Sequence, residues 1–170
     1  MTSSIQDIDV FNLCKEHASI QGQLPLSVLS RLHSDLIHTT GTVSYHVSGS
    51  VDDEHRYLLH LSITGTLPMN CQRCAEELSH PLLVNNTLQL VHTEAELDDE
   101  EEELNAIMSG KAEIEKIVGS KNYDLLNLLE DEIILSLPIV IAHEVCEQTL
   151  PTSIGEKVSP FDALMALKNK

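Results

Sequence analysis

Residues 42 to 93 carry the pattern that most restricts the fold. TVSYHVSGSV (42–51) alternates apolar and polar positions, with Val43, Tyr45 and Val47 on one face, as a half-buried strand does. DDE (52–54) reads as a turn. RYLLHLSITGTL (56–67) is a second strand rich in Leu and β-branched residues, and Pro68 is expected to end it. The chain turns at 70–76, and LSHPLLVNNTLQLVHT (78–93) is a third, long strand, with Pro81 or the Asn85–Asn86 pair as its bend. Three such runs with short connections make an antiparallel meander. The stretch NCQRCAEEL (70–78) puts Cys71 and Cys74 at the tip of its second connection.

Outside the meander the rhythm changes. SIQDIDVFNLCKEHAS (4–19) fits no one period. LPLSVLSRLH (24–33) predicts a short helix, with Pro25 in its first turn and Leu26, Leu29 and Leu32 recurring every three residues. EIEKIV (113–118) offers a fourth strand. YDLLNLLEDEIILSLP (123–138) is the strongest helical segment: Asp124 can cap it, Leu125, Leu128, Leu129 and Ile133 form a stripe, and Pro138 ends it. The expected architecture is α+β: a small antiparallel sheet packed with two or more helices, in one domain over 1–150. An acidic mobile loop occupies 94–105. A tail, 151–170, closes on the short helical pattern PFDALMALKNK.

Charge narrows the function. The 170 residues carry 27 acidic against 10 basic side chains, a net charge of −17. That disfavours broad contact with nucleic acid, which needs Lys and Arg on phosphates, and favours solubility and a basic protein partner. EAELDDEEEELN (94–105) holds eight carboxylates and no base. Such a run repels itself and reads as a solvated loop, or as an acidic decoy for a basic site on a partner protein. The start lacks a basic n-region and an apolar h-region, and no apolar run nears the ~18 residues of a membrane span. The expected location is the cytoplasm, where thiols stay reduced.

In that compartment a C-x2-C turn has three readings. Two thiolates can converge on one metal ion, but a structural zinc site wants four ligands. His143 and Cys146, in AHEVC, would complete a Cys3His set and clip the meander tip to the segment after the long helix. A thioredoxin-like redox role needs the pair at a helix start, whereas here it lies between strands. The third reading is two reduced thiols in a tight turn. Cys14 reads as a small buried apolar residue. His33, His38, His46, His55, His60, His80 and His92 are scattered. Glu130, Asp131 and Glu132 point in different directions on a helix and suit a solvated or docking face better than a shared Mg²⁺. No Ser/His/Asp set, GxxxxGK[ST] or GxGxxG is present, so the sequence points to no enzyme and no small-molecule substrate.

Three segments carry a family likeness. LPMNCQRCAEEL, YDLLNLLEDEIILSLPIVIAHEVC and SPFDALMALK resemble, in order and spacing, the large ribosomal RNA subunit accumulation proteins, the YceD-like family. The resemblance spans essentially the whole chain, and its second segment is the most specific. It implies a non-catalytic cytoplasmic factor for the synthesis, processing or stability of 23S rRNA in large-subunit biogenesis. Its motif positions are Cys71, Arg73 and Cys74, then Glu130, Asp131, Glu132, Leu137 and Pro138. Some relatives carry more cysteines after the Leu-Pro, where this chain has only His143 and Cys146. Joined to the charge, it implies an acidic adaptor for a basic ribosomal protein or an rRNA-processing or assembly factor. The alternative is direct RNA contact by Arg73 and Arg56 around a zinc-held turn.

Overall fold

Five strands form one sheet in sequential order: β1 (Ser19–Pro25), β2 (Thr42–Val51), β3 (Tyr57–Asn70), β4 (Glu77–Val91) and β5 (Glu115–Val118). Two helices, α1 (Val10–Lys15) and α2 (Leu125–Ser136), complete the regular structure of this computed structural model, which describes residues 5–97 and 114–146. The expected meander is present as β2–β3–β4. Its first turn is held by Asp52, whose carboxylate accepts from the Glu54 and Arg56 N–H groups at 3.0 and 2.8 Å. The expected wholly antiparallel sheet needs one correction, because β5 lies parallel to β4. A parallel neighbour demands a long crossover, and residues 92–114 supply the length. The acidic run falls within them. Glu94–Glu96 form a 3-10 turn; the run beyond residue 97, like the tail 151–170, lies outside the described residues.

β3 and β4 pair without a break from Tyr57–Leu90 to Asn70–Glu77. Pro68 therefore does not end the strand. Its carbonyl accepts from the Ile37 N–H at 2.9 Å, on the side away from β4. The imide nitrogen shares that side, so the missing N–H removes no bond from the hairpin ladder. Pro81 pairs with Thr66 and has the same parity, so it too is tolerated, and neither it nor Asn85–Asn86 interrupts the register.

The 24–33 segment differs from expectation. Its first residues extend into β1, and the rest forms two 3-10 turns, Leu26–Val28 and Ser30–Ser34. Leu26, Leu29 and Leu32 do point inward, all fully buried. The period of three fits a 3-10 helix as well as an α-helix. β1 was hidden because Gly22 sits where an apolar inward residue would show the alternation Ile20–Leu24. A Cβ at Gly22 would meet the Tyr45 hydroxyl at 2.8 Å.

One face of the sheet carries the core. Val43, Val47, Leu59, Leu61, Ile63 and Leu88 face inward and are covered by α1, the 3-10 turns and α2. The other face is polar but uncharged over β2 and β3: Ser44, His46, Ser48, His60, Ser62 and Thr64. α1 lies on β2 so closely that a Cβ on Gly49 would meet Cys14 and Leu13 backbone atoms at 2.6–2.7 Å. Cys14 is buried there, as expected, and its thiol meets the Leu58 carbonyl at 3.3 Å.

α2 starts where Asp124 accepts from the Asn127 N–H at 3.2 Å, and its stripe of Leu125, Leu128, Leu129 and Ile133 is buried. Its acidic triplet is not a solvated face. Glu130 and Glu132 are 3% and 7% exposed. Glu130 accepts from the Arg31 N–H at 2.7 Å and the Leu32 N–H at 3.4 Å, satisfying donors at the start of the second 3-10 turn. Glu132 accepts from the Asn86 amide of β4 at 3.0 Å. Only Asp131 reaches outward, where it pairs with the Arg31 guanidinium. Consecutive residues diverge on a helix, and here two of the three find polar partners inside.

Two predictions follow from this packing. Gly49→Ala pushes α1 off the sheet and should destabilise the protein by about 1–3 kcal/mol or more, read as a lower urea midpoint. An unchanged midpoint would mean that α1 does not rest on β2. Burial pushes the Glu132 carboxyl above its usual range; the Asn86 amide opposes this, and Glu115 and Asp131 add to it. In the window from the unfolded value, ~4.3, up to the raised folded value, the folded state binds more protons, so stability falls as pH rises. Glu132→Gln should therefore be more stable than the parent at pH 7, with the gain fading toward pH 4. A variant less stable at pH 7 would reverse the sign.

Candidate metal centre

The β3–β4 pairing carries the chain past the end of β2, which pairs with β3 only up to Thr64. The turn at its tip begins with Cys71, whose N–H bonds the Glu76 carbonyl at 2.9 Å. The Ala75 N–H returns to the Cys71 carbonyl at 2.8 Å, with Ala75 in the left-handed region at φ 61°. A small side chain suits that strained position. The turn thereby aims both thiols to one side.

The segment after α2 comes back to meet it. Leu137 and Pro138 end the helix, and the Ile141 carbonyl accepts from the Gln72 N–H at 2.8 Å. His143 and Cys146 then face the turn. The ligand atoms of Cys71, Cys74, His143 and Cys146 all lie within 4.8 Å of one another. Cys71 Sγ and Cys146 Sγ are 3.7 Å apart, and Cys74 Sγ and His143 Nδ1 3.4 Å. All four cysteines of the chain are free.

Those spacings match the donor set to an ion. Around a tetrahedral zinc with Zn–S of ~2.3 Å and Zn–N of ~2.0–2.1 Å, two sulfurs stand about 3.8 Å apart, and a sulfur and an imidazole nitrogen about 3.5 Å. Surrounding groups suit the same role. His143 Nε2 lies 3.1 Å from the Glu77 carbonyl, which can only accept, so Nε2 carries the proton and Nδ1 presents its lone pair. Cys71 is buried and receives the Arg73 and His143 N–H groups, each at 3.4 Å. Burial opposes ionisation of the Cys71 thiol, but donation from His143, Arg73 and Cys74 outweighs it and holds the pKa at about 5. Cys146 is pushed up to about 11 by desolvation and by its neighbours Cys71 and Cys74. Soft thiolates with one imidazole suit zinc better than magnesium or calcium.

The four residues read as one set in the sequence thus meet in space. The backbone carbonyls of Glu77 and Ile141 that position them left no sequence signal, because a carbonyl belongs to every residue. Arg73 is exposed, with no side-chain partner among the described residues. Arg56 does not join it. It pairs with Asp52 and Glu54 at the opposite end of β3, roughly 45 Å along the strand. Glu130 and Glu132 face the interior near Arg31 and Asn86.

The family profile described as Large ribosomal RNA subunit accumulation protein YceD matches residues 59–168, which include the whole centre. The protein of that name from Haemophilus influenzae is 28% identical over 160 residues, covering 88% of this chain and 87% of its own length. No solved structure matches the chain. No helix among the described residues is long and apolar enough to cross a membrane. A profile that takes in most of the meander, the long helix and both halves of the Cys/His cluster places this chain in the YceD family of large ribosomal RNA subunit accumulation proteins.

Proposed function

We propose that this protein supports accumulation of the large-subunit, 23S rRNA during ribosome biogenesis, as a non-catalytic acidic adaptor in the cytoplasm. The observation that carries the reading is the family match over residues 59–168, together with the name of the Haemophilus relative, a large ribosomal RNA subunit accumulation protein. The net charge of −17 supports contact with a basic ribosomal protein or assembly factor rather than with bare rRNA. Burial of Glu130 and Glu132 withdraws them from the docking surface and leaves Asp131 and the 94–105 run to supply its charge.

The Cys71, Cys74, His143 and Cys146 set is proposed as a structural zinc clip. What supports it, besides the spacings, is how little else holds the segment after α2. Ile139 and Val145 are 95% and 84% exposed, Val140 is exposed as well, and only Ile141 is buried between residues 138 and 146. Bound zinc would supply a four-way crosslink worth about 10 kcal/mol or more at neutral pH. The chain's own contribution is to orient the donors: the N–H groups on Cys71 and the Glu77 carbonyl on His143.

Cells depleted of the protein should show a selective fall in the ratio of 23S to 16S rRNA; an unchanged ratio would overturn the proposed process. A tagged copy should retain its protein partner after RNase and lose it as salt rises; loss on RNase treatment alone would overturn the adaptor.

The purified protein should hold about one zinc equivalent by elemental analysis. Cys71→Ser should lose it, with a fall in Tm of about 10 °C or more. Protein free of metal, with a Tm indifferent to added zinc, would refute the clip.

A further inference from the structure

At the end of the hairpin opposite the cysteines, three segments converge on a cavity of about 360 Å³. Its wall includes Phe11, Asn12 and Lys15 of α1, His92 beyond β4, and Ser120 and Lys121 beyond β5. The backbone builds it closely. The Gly119 N–H bonds the Val91 carbonyl at 2.9 Å, and the Val10 N–H bonds the Ser120 carbonyl at 3.3 Å. A Cβ on Gly119 would meet the Phe11 ring at 2.8 Å, so the ring sits directly over that residue.

Two features distinguish this cavity on a strongly acidic chain. The first is cationic. Of the six Lys and Arg among the described residues, Arg31 and Arg56 are spent on ion pairs with carboxylates. Lys15 and Lys121 are exposed, form no ion pair among the described residues, and share this one wall. Lys15 also lies 5.7 Å over the Tyr57 ring. The wall also holds the Asp9 carboxylate, which accepts from the Asn12 N–H at 2.9 Å, and Glu96 lies beside His92, accepting from the Thr93 hydroxyl at 2.7 Å and the His92 N–H at 3.5 Å.

The second feature is aromatic. Phe11 and His92 stack with centroids 4.1 Å apart and planes at 21°, and Tyr57 meets both rings edge-on. In a chain with only five Phe and Tyr and no Trp, two of them hold one imidazole in place. A fixed flat ring beside two lysines, with Asn12 and Ser120 for polar contacts, is the chemistry that takes an unpaired base and its phosphate.

We propose that this cavity binds one nucleotide of single-stranded RNA, with the phosphate at Lys15 and Lys121 and the base against His92. The contact goes beyond the adaptor reading and does not rest on it: a protein partner would supply the main affinity, and this site a local grip on the strand.

The test uses the purified full chain and fluorescently labelled deca-uridylate, followed by anisotropy at several salt concentrations. Weak, salt-sensitive binding is expected. Lys15→Ala with Lys121→Ala should weaken it about tenfold and reduce the log–log salt slope by about 1.4, from ~0.7 per phosphate contact on a single strand. Both lysines are exposed, so melting of the double variant should match the parent. His92→Ala should weaken binding about five- to tenfold through lost stacking, and Arg73→Ala should leave it unchanged. Absence of binding, an unaffected lysine double variant, or loss on Arg73→Ala would each overturn the site. Competition by inorganic pyrophosphate as effective as by unlabelled deca-uridylate would overturn the nucleotide reading, since the cavity would then hold a bare anion. Because the assay contains only protein and RNA, its failure is separable from an unchanged rRNA ratio in cells.

Discussion

The uninterrupted pairing of β3 with β4 sets everything else in place. Fourteen residues of β3 pair in register with β4, and side chains alternate faces along both. A slip of one residue would turn Asn86 from the interior to the polar face, away from Glu132. It would also displace Cys71 from the carbonyl of Glu76 and the tip of the hairpin from Ile141. One register therefore fixes both where α2 docks and where the thiols point. The overhang beyond Thr64 is not left bare, because the Ile37 N–H reaches Pro68 and Leu36 bridges to Met69.

Much of this could be read from the residues. Strict alternation in 42–51 and the apolar stripe of 125–133 each have a single structural solution, and both formed as read. The pairing of Cys71 and Cys74 with His143 and Cys146 was legible because cysteines are rare, four in the chain, and His143 lies three residues from one of them. The failures share a cause: the deciding partner was remote in sequence. A period of three in Leu26–Leu32 does not choose between helix types; the β1 pairing and the Glu130 carboxylate, far along the chain, make those turns 3-10. Pro68 reads as a strand end unless it is known which side of β3 faces β4. Glu130 and Glu132 look solvated because a carboxylate shows no sign of the N–H groups it will meet. The cavity at Lys15, His92 and Lys121 had no signal, since its residues come from separate, locally unremarkable segments.

Charge is distributed in a consistent way. Arg31 and Arg56 neutralise carboxylates at structural positions, while the polar face of β2 and β3 carries no charged side chain. Eight of the 27 carboxylates fall in the 94–105 run, so their mutual repulsion acts on the connection between β4 and β5 rather than within a strand.

The two ends of the hairpin are held in different ways. At the α1 end, side chains interlock: Gly49 under α1, Gly119 under Phe11, and rings stacked on rings. That end needs no cofactor to keep its shape. At the cysteine end, most apolar side chains of the returning segment face solvent, and what holds it is the buried Ile141, the Gln72 N–H bond to its carbonyl and the three thiols and one imidazole. Backbone hydrogen bonds in water contribute only about 1 kcal/mol each, too little to fix a segment whose side chains are mostly outside the core. A metal ion shared by both sides of the contact would convert a weak docking into a fixed one. Its effect would then be to hold the chain after α2 in one orientation against the hairpin tip.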